Sequence, residues 1–154
     1  MIDSMIWVYN YDPNAPEHNN VKKWLRAPDG VLAKEKVLLS AIIPLEVMHV
    51  LFRKARLPFD LVFNATQGII NLANGEVVEL TLPVVQESMR LLGTYQEYGI
   101  GGRDASILAT MTERGTDTIA THDKGLLRVP EFNRVDPVFD PPAIYPLGQP
   151  FVSH

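Results

Sequence analysis

Apolar positions along this chain fall into short runs that alternate between two spacings. The opening MIDSMIWVY is broken by Asp3 after two residues, which leaves room only for a very short strand before a stretch of ambiguous type. DPNAP is loop by its punctuation, and from Glu17 to Arg26 the spacing sets Val21, Trp24 and Leu25 on one helical face. After the Pro28-Asp29-Gly30 turn, Lys36 to Ile43 ends in the apolar run VLLSAII and reads as a strand. Pro44 then suits the first position of a helix, which would bring Glu46 near its third position and turn Leu45, Met48, Leu51 and Phe52 inward. Pro58 to Leu72 repeats the helical pattern with Gly75 closing it, and Val77 to Leu82 is rich enough in β-branched residues for a strand. Val85, Met89, Leu92 and Tyr95 recur at spacings of four, three and three, so another amphipathic helix runs to the Tyr98-Gly99 break. Asp104 to Arg114 gives a further helix ended by Gly115, Asp117 to Thr121 a short buried strand, and His122 to Gly125 a turn or helical stub. Strands separated by helices imply right-handed crossovers, and hence an α/β fold with helices on both faces of a parallel sheet.

With 154 residues, 46% hydrophobic and 21% charged, the chain suits one compact domain, expected over residues 1–137. Residues 138–154 are proline-rich and read as an extended C-terminal tail. No apolar stretch reaches the roughly 20 residues of a membrane helix, and the N-terminus lacks the pattern of a signal peptide, so the expectation is cytoplasmic with no membrane partner. The absence of cysteine excludes disulfides and thiolate ligands, so any metal must be held by oxygen or imidazole. The net charge of −4 counts mildly against a broad nucleic-acid groove, but not against a small site where divalent cations supply the positive charge.

Ligands of open parallel sheets bind beyond the C-terminal ends of the strands, and this chain carries acids at such points. Asp3 follows the first strand, Glu46 the second and Asp123 the run DTIAT, while Asp104 opens a helix on the same side. Four carboxylates about 5 Å apart at an effective dielectric near 20 would repel by roughly 3 kcal/mol per pair, so some must be protonated or neutralised by hard cations. All-oxygen ligation suits Mg²⁺ or Mn²⁺, and a pair of such ions can activate water and stabilise the leaving oxygen in phosphodiester hydrolysis. Asp104 and Asp123 are both candidates for the base. The competing reading makes Glu46, Asp104 and Asp123 simple helix N-terminal acids; Asp3, directly behind an apolar opening, is the least readily explained as a cap.

Asp3-Ser4, SAIIPLEVMHVL with Glu46, YGIGGRDASILATM with Asp104, and DTIATHDKGL with Thr121 and Asp123 together resemble the PIN-domain proteins, in particular the VapC-type toxins of toxin–antitoxin pairs. The resemblance covers nearly the whole chain. It implies a three-layer α/β/α sandwich around a central parallel sheet of four to five strands. It also implies a Mg²⁺- or Mn²⁺-dependent ribonuclease site in which Asp3, Glu46, Asp104 and Asp123 are the catalytic and metal-binding acids, with Ser4 and Thr121 as supporting hydroxyls. RNA as substrate, a cognate antitoxin and a homodimer follow from the same resemblance. Two departures are Met5, where the family often has Asn, and a first strand shorter than usual before the first Asp.

Among lesser signals, Arg103 beside Asp104 is a candidate phosphate contact. VKKWLR (21–26) could touch RNA but also fits an amphipathic helix with a solvated basic face, and Arg53, Lys54 and Arg56 could meet phosphates or complement a helix dipole. His49 and His122 stay outside the core site; Tyr95 and Tyr98 suit packing or a dimer contact. The alternative function, motivated by Met5, is a catalytically weak PIN-fold module that binds RNA or a protein partner.

Overall fold

The computed structural model describes residues 1–152. The opening strand is a single parallel bridge between Ile2 and Ala120, with Ala120 N–H donating to Met1 O and Asp3 N–H to Ala120 O, both at 2.9 Å. Asp3 then caps α1 (Ser4–Tyr11), which buries Ile6, Trp7 and Val8. In α2 (His18–Arg26), Val21 and Leu25 face the core as their spacing predicts. The basic residues of this helix are largely used within the chain: Lys23 pairs with Asp140 at 2.6 Å, and Arg26 donates to Asn10 Oδ1 and the Tyr11 hydroxyl. That favours the amphipathic-helix reading of VKKWLR. The short α3 (Val31–Lys34) leads into β1 (Val37–Ser40), which is buried throughout.

After β1 come α4 (Ile42–His49), which continues into a π-helical turn over Val50–Lys54, and α5 (Phe59–Ile70). Then follow β2 (Gly75–Val78), α6 (Leu82–Thr94), a 3₁₀ turn at Gln96–Tyr98, α7 (Gly102–Arg114), β3 (Thr118–Ala120), α8 (Lys124–Leu127), β4 (Asn133–Asp136) and β5 (Ala143–Tyr145). β1 and β2 pair in parallel from Val37 opposite Gly75, and β3 and β4 in parallel from Thr118 opposite Asn133. β5, inside the proline-rich segment, adds an antiparallel edge strand with Tyr145 opposite Arg134. The architecture is the three-layer α/β/α type. No helix among the described residues is long and apolar enough to cross a membrane.

Four local expectations are corrected. α4 starts at Ile42, so Pro44 is its third residue and Glu46 its fifth, beyond the reach of a capping acid; Pro44 is tolerated because first-turn amides have no helical partner to lose. The inward face of this helix is Ile43, Val47 and Leu51, while Leu45 is 66% exposed. Gly75 opens β2 instead of closing a helix, and the strand ends at Val78. α6 is turned by one residue from its predicted face: Val84, Ser88 and Leu91 are buried, and Met89 is 68% exposed. A serine can face inward there because its hydroxyl donates to Val84 O at 2.6 Å.

Arg134 on β4 has no solvent exposure. Its guanidinium donates to four backbone carbonyls, those of Leu127, Tyr145, Pro146 and Gln149, at 2.8 to 3.3 Å. The residues after β5 are thereby fastened to the body of the protein.

Candidate functional site

Asp3 is fully buried where the opening bridge meets α1. Its Oδ1 accepts from Ser4 N–H at 2.7 Å and the Ser4 hydroxyl at 3.2 Å, and its Oδ2 accepts from the Thr121 hydroxyl at 2.9 Å. Burial pushes the Asp3 carboxyl up to about 6, against the Thr121 hydrogen bond and the charge of Arg103, which pull it down. Asp3 is therefore both a cap and a buried acid, which corrects the view that it is the least cap-like of the four.

Ser4 links Asp3 to Glu46, since its hydroxyl also lies 3.4 Å from Glu46 Oε2. Glu46 is bound in turn by Arg103, whose Nη1 donates to Oε1. The same guanidinium holds Asp104: Nε and Nη2 lie 2.9 and 2.8 Å from Oδ1. Asp104, in the first turn of α7, sends its Oδ2 back to the Gly101 N–H at 3.1 Å, as helix-entry acids do. Its two roles, cap and site member, coexist.

Thr121 closes the chain of contacts on the other side. Its Oγ1 accepts from Asp123 N–H at 3.0 Å, and Asp123 Oδ1 caps α8 by accepting from Gly125 and Leu126 N–H at 2.8 and 3.1 Å. Gly125 is required here, because a β-carbon would lie 2.9 Å from Asp123 Oδ1 and 3.0 Å from Tyr98 O. Gly125→Ala is expected to cost about 1–3 kcal/mol, read as a lower urea midpoint with unchanged slope.

Asp3, Glu46, Asp104 and Asp123 thus join one hydrogen-bonded network although they are spread over 120 positions of sequence. Residues 1–132 match the family described as PIN domain. The chain belongs to the PIN-domain family. Among solved structures this PIN domain is similar to Mycobacterium tuberculosis VapC20, a Sarcin-Ricin loop cleaving toxin, with 17% identity and a TM-score of 0.64, over 77% of this chain and 85% of that one. No curated protein matches the chain.

The repulsion expected among the acids is relieved from within the PIN domain itself. Arg103 offsets one of the two charges of Glu46 and Asp104, the raised pKa of Asp3 favours its neutral form below about pH 6, and Asp123 faces the amides of α8. The donor set, as placed, does not fit a divalent ion: among the described residues no group of three or more acidic or imidazole side chains could hold one. Sequence reasoning assigned Arg103 to an incoming phosphate and missed its in-chain partners. Its adjacency to Asp104 on a helix start was the available signal.

Glu46, Arg103, Ile42, Leu45 and His49 line an open depression of about 380 Å³. A larger one, about 560 Å³, lies around Met1, Lys36 and Arg114 at the start of β1, apart from the acids. His122 bonds Asp136 Oδ2 through Nδ1 at 2.8 Å, which raises its pKa. Tyr9 escaped notice in the sequence; burial and the charges of Glu17, Asp3, Asp136 and Asp123 push its hydroxyl up to about 12, so it sits in the field of these acids. Tyr95 and Tyr98 stack on each other, with ring centres 6.0 Å apart.

Proposed function

We propose that this PIN domain is an RNA-binding module whose acid pocket turns over phosphodiester bonds weakly as it is arranged at rest. The observation that carries this reading is Arg103 spanning Glu46 and Asp104, which gives both carboxylates a shared cation, while among the described residues no group of three could hold an ion. The likeness to VapC20, a Sarcin-Ricin loop cleaving toxin, supports RNA as the macromolecule. Arg103, with its side chain 31% exposed, presents guanidinium N–H groups at the rim where a phosphate would arrive.

The second reading is a Mg²⁺- or Mn²⁺-dependent endoribonuclease, a homodimeric toxin held by an antitoxin. It is favoured by the convergence of Asp3, Glu46, Asp104 and Asp123, with Ser4 and Thr121 as the hydroxyls between them. If the acids held an ion, it would supply Lewis-acid activation of water; the residues themselves supply positioning, through Ser4 and Thr121 on Asp3 and the Gly101 amide on Asp104.

Anisotropy titration with labelled RNA hairpins and single strands, beside cleavage gels, separates the two. The binding module is expected to bind in EDTA and to cleave slowly in either ion. Fast cleavage that EDTA stops and that Asp104→Asn and Asp123→Asn abolish in folded protein would establish the nuclease. Absence of RNA binding in every condition would remove the first reading.

A further inference from the structure

Beyond its regular part, α4 ends in an unusual way. In the π-helical turn Val50–Lys54, Leu51 keeps its place in the core while Phe52, Arg53 and Lys54 are all turned to solvent. A π turn is the rare wide variant of a helix, and it recurs at functional positions. Arg56 follows with φ 56, a left-handed backbone that a residue with a side chain seldom adopts. The turn is nonetheless fixed, since Ala55 N–H donates to Val50 O and Leu57 N–H to Leu51 O, both at 3.0 Å. α5 then starts at Phe59 and brings two more rings to the same corner. Phe59 meets Phe52 edge to face at 5.7 Å and lies almost parallel to Phe63 at 5.8 Å between ring centres. The three rings are 36%, 49% and 43% exposed in chain order, so they form an open aromatic row and not a piece of core.

Charge distinguishes the partners this row can take. Between positions 47 and 75 the chain has three cations, Arg53, Lys54 and Arg56, and one acid, Asp60, although the whole protein carries −4. Asp60 belongs to the first turn of α5, where it complements the helix dipole. The three cations are exposed, and none is ion-paired among the described residues; the Arg53 guanidinium rests 5.3 Å from the centre of the Phe52 ring. A second copy of this chain docked here about a twofold axis would set these cations against the same three, a repulsive arrangement. Open rings among unpaired cations suit a nucleic-acid strand whose bases are unpaired, because each base has a face to stack and each phosphate takes a cation. Leu45 and His49 continue the exposed side of α4 towards the depression of Glu46 and Arg103, and Arg53 stands about 10 Å along the helix from Glu46. We propose that the π turn and the start of α5 form an RNA exosite, in which unpaired bases stack on Phe52, Phe59 and Phe63 while backbone phosphates meet Arg53, Lys54 and Arg56. This rests on the RNA-binding reading above, and adds to it where the strand is held and why single strands are preferred to duplex.

The test is fluorescence anisotropy of labelled oligouridine, alone and paired with oligoadenosine, on the full chain in EDTA over a series of salt concentrations. The single strand is expected to bind about tenfold tighter than the duplex. Phe59→Ala and Phe59→Leu should both weaken it about tenfold, because leucine keeps the apolar bulk but offers no ring face. Arg53→Gln and Lys54→Gln should each flatten the slope of log affinity against log salt by about 0.7. These positions are exposed, and thermal melts check that each variant folds. Unchanged affinity in the folded Phe59 variants, full retention by Phe59→Leu, or equal binding of the duplex would overturn the exosite while the RNA-binding module stands. No RNA binding by the wild type, hairpins included, would overturn both. Sedimentation in which Phe59→Ala turns a wild-type dimer into monomers would assign the rings to a protein contact and also overturn the exosite.

Discussion

Arg134→Met is expected to lower the free energy of unfolding by about 3–5 kcal/mol and to free the backbone from Tyr145 to Gln149. Five hydrogen bonds run from this guanidinium to four carbonyls, and no solvent reaches it. Methionine restores much of the volume and none of the donors, so the cost is that of leaving buried acceptors unsatisfied. The Leu127 carbonyl closes the four-residue α8, whose other end Asp123 caps, and the change therefore reaches the acid pocket through α8. Lysine has three donors on a narrow head and cannot span four carbonyls, so Arg134→Lys should recover only part of the loss. Urea denaturation gives the energy, and hydrogen exchange at Gly148 and Gln149 gives the location, since these amides are bonded to Pro130 O and Pro146 O in the folded protein. A loss below about 1 kcal/mol would mean that water satisfies these carbonyls as well as the arginine does.

Asp3→Asn is expected to stabilise the protein at neutral pH by about 3 kcal/mol. Burial holds the Asp3 carboxyl at about 6 in the folded chain, above the ordinary aspartate value of 3.8. Between those values the folded state binds more protons than the unfolded one, so wild-type stability falls as pH rises through the window, and the full penalty is present above pH 6. Asparagine has no charge to bury and can still meet Ser4 and Thr121, whose hydroxyls turn to suit an amide. Melting temperatures from pH 3.5 to 8 should show wild type and variant coinciding at the acid end and diverging towards neutral. Parallel curves would show that Asp3 is ionised at no cost. A buried carboxyl whose charge weakens the fold is the pattern expected of a functional acid.

Much of this arrangement was legible from residue order alone. The strand–helix alternation, the glycine stop at Gly115 with φ 62, and the acids beyond the strand ends follow from local chemistry. What escaped was the rotation of individual helices. On α6 the pattern of large apolar residues pointed to Met89, but Ser88 turns inward because it can bond its own backbone. On α4 the same reading favoured Leu45 over Ile43, because proline appeared to mark the first helical residue. The neutralisation of the pocket was hidden for a different reason: Arg103 and Glu46 meet only through tertiary structure, and nothing in their spacing announces it. The network from Ser4 through Thr121 to Asp123 was accessible as a resemblance, but the burial that lifts the Asp3 pKa depends on every layer being in place.

The bridge between Ile2 and Ala120 also sets a timetable for biosynthesis. Contacts of such long sequence separation form late, because the loop between the partners must close first. During translation Asp3 and Thr121 can meet only after β3 has left the ribosomal tunnel. A nascent chain is thus without its pocket until β3 has emerged, and fragments that end before Thr121 never acquire one.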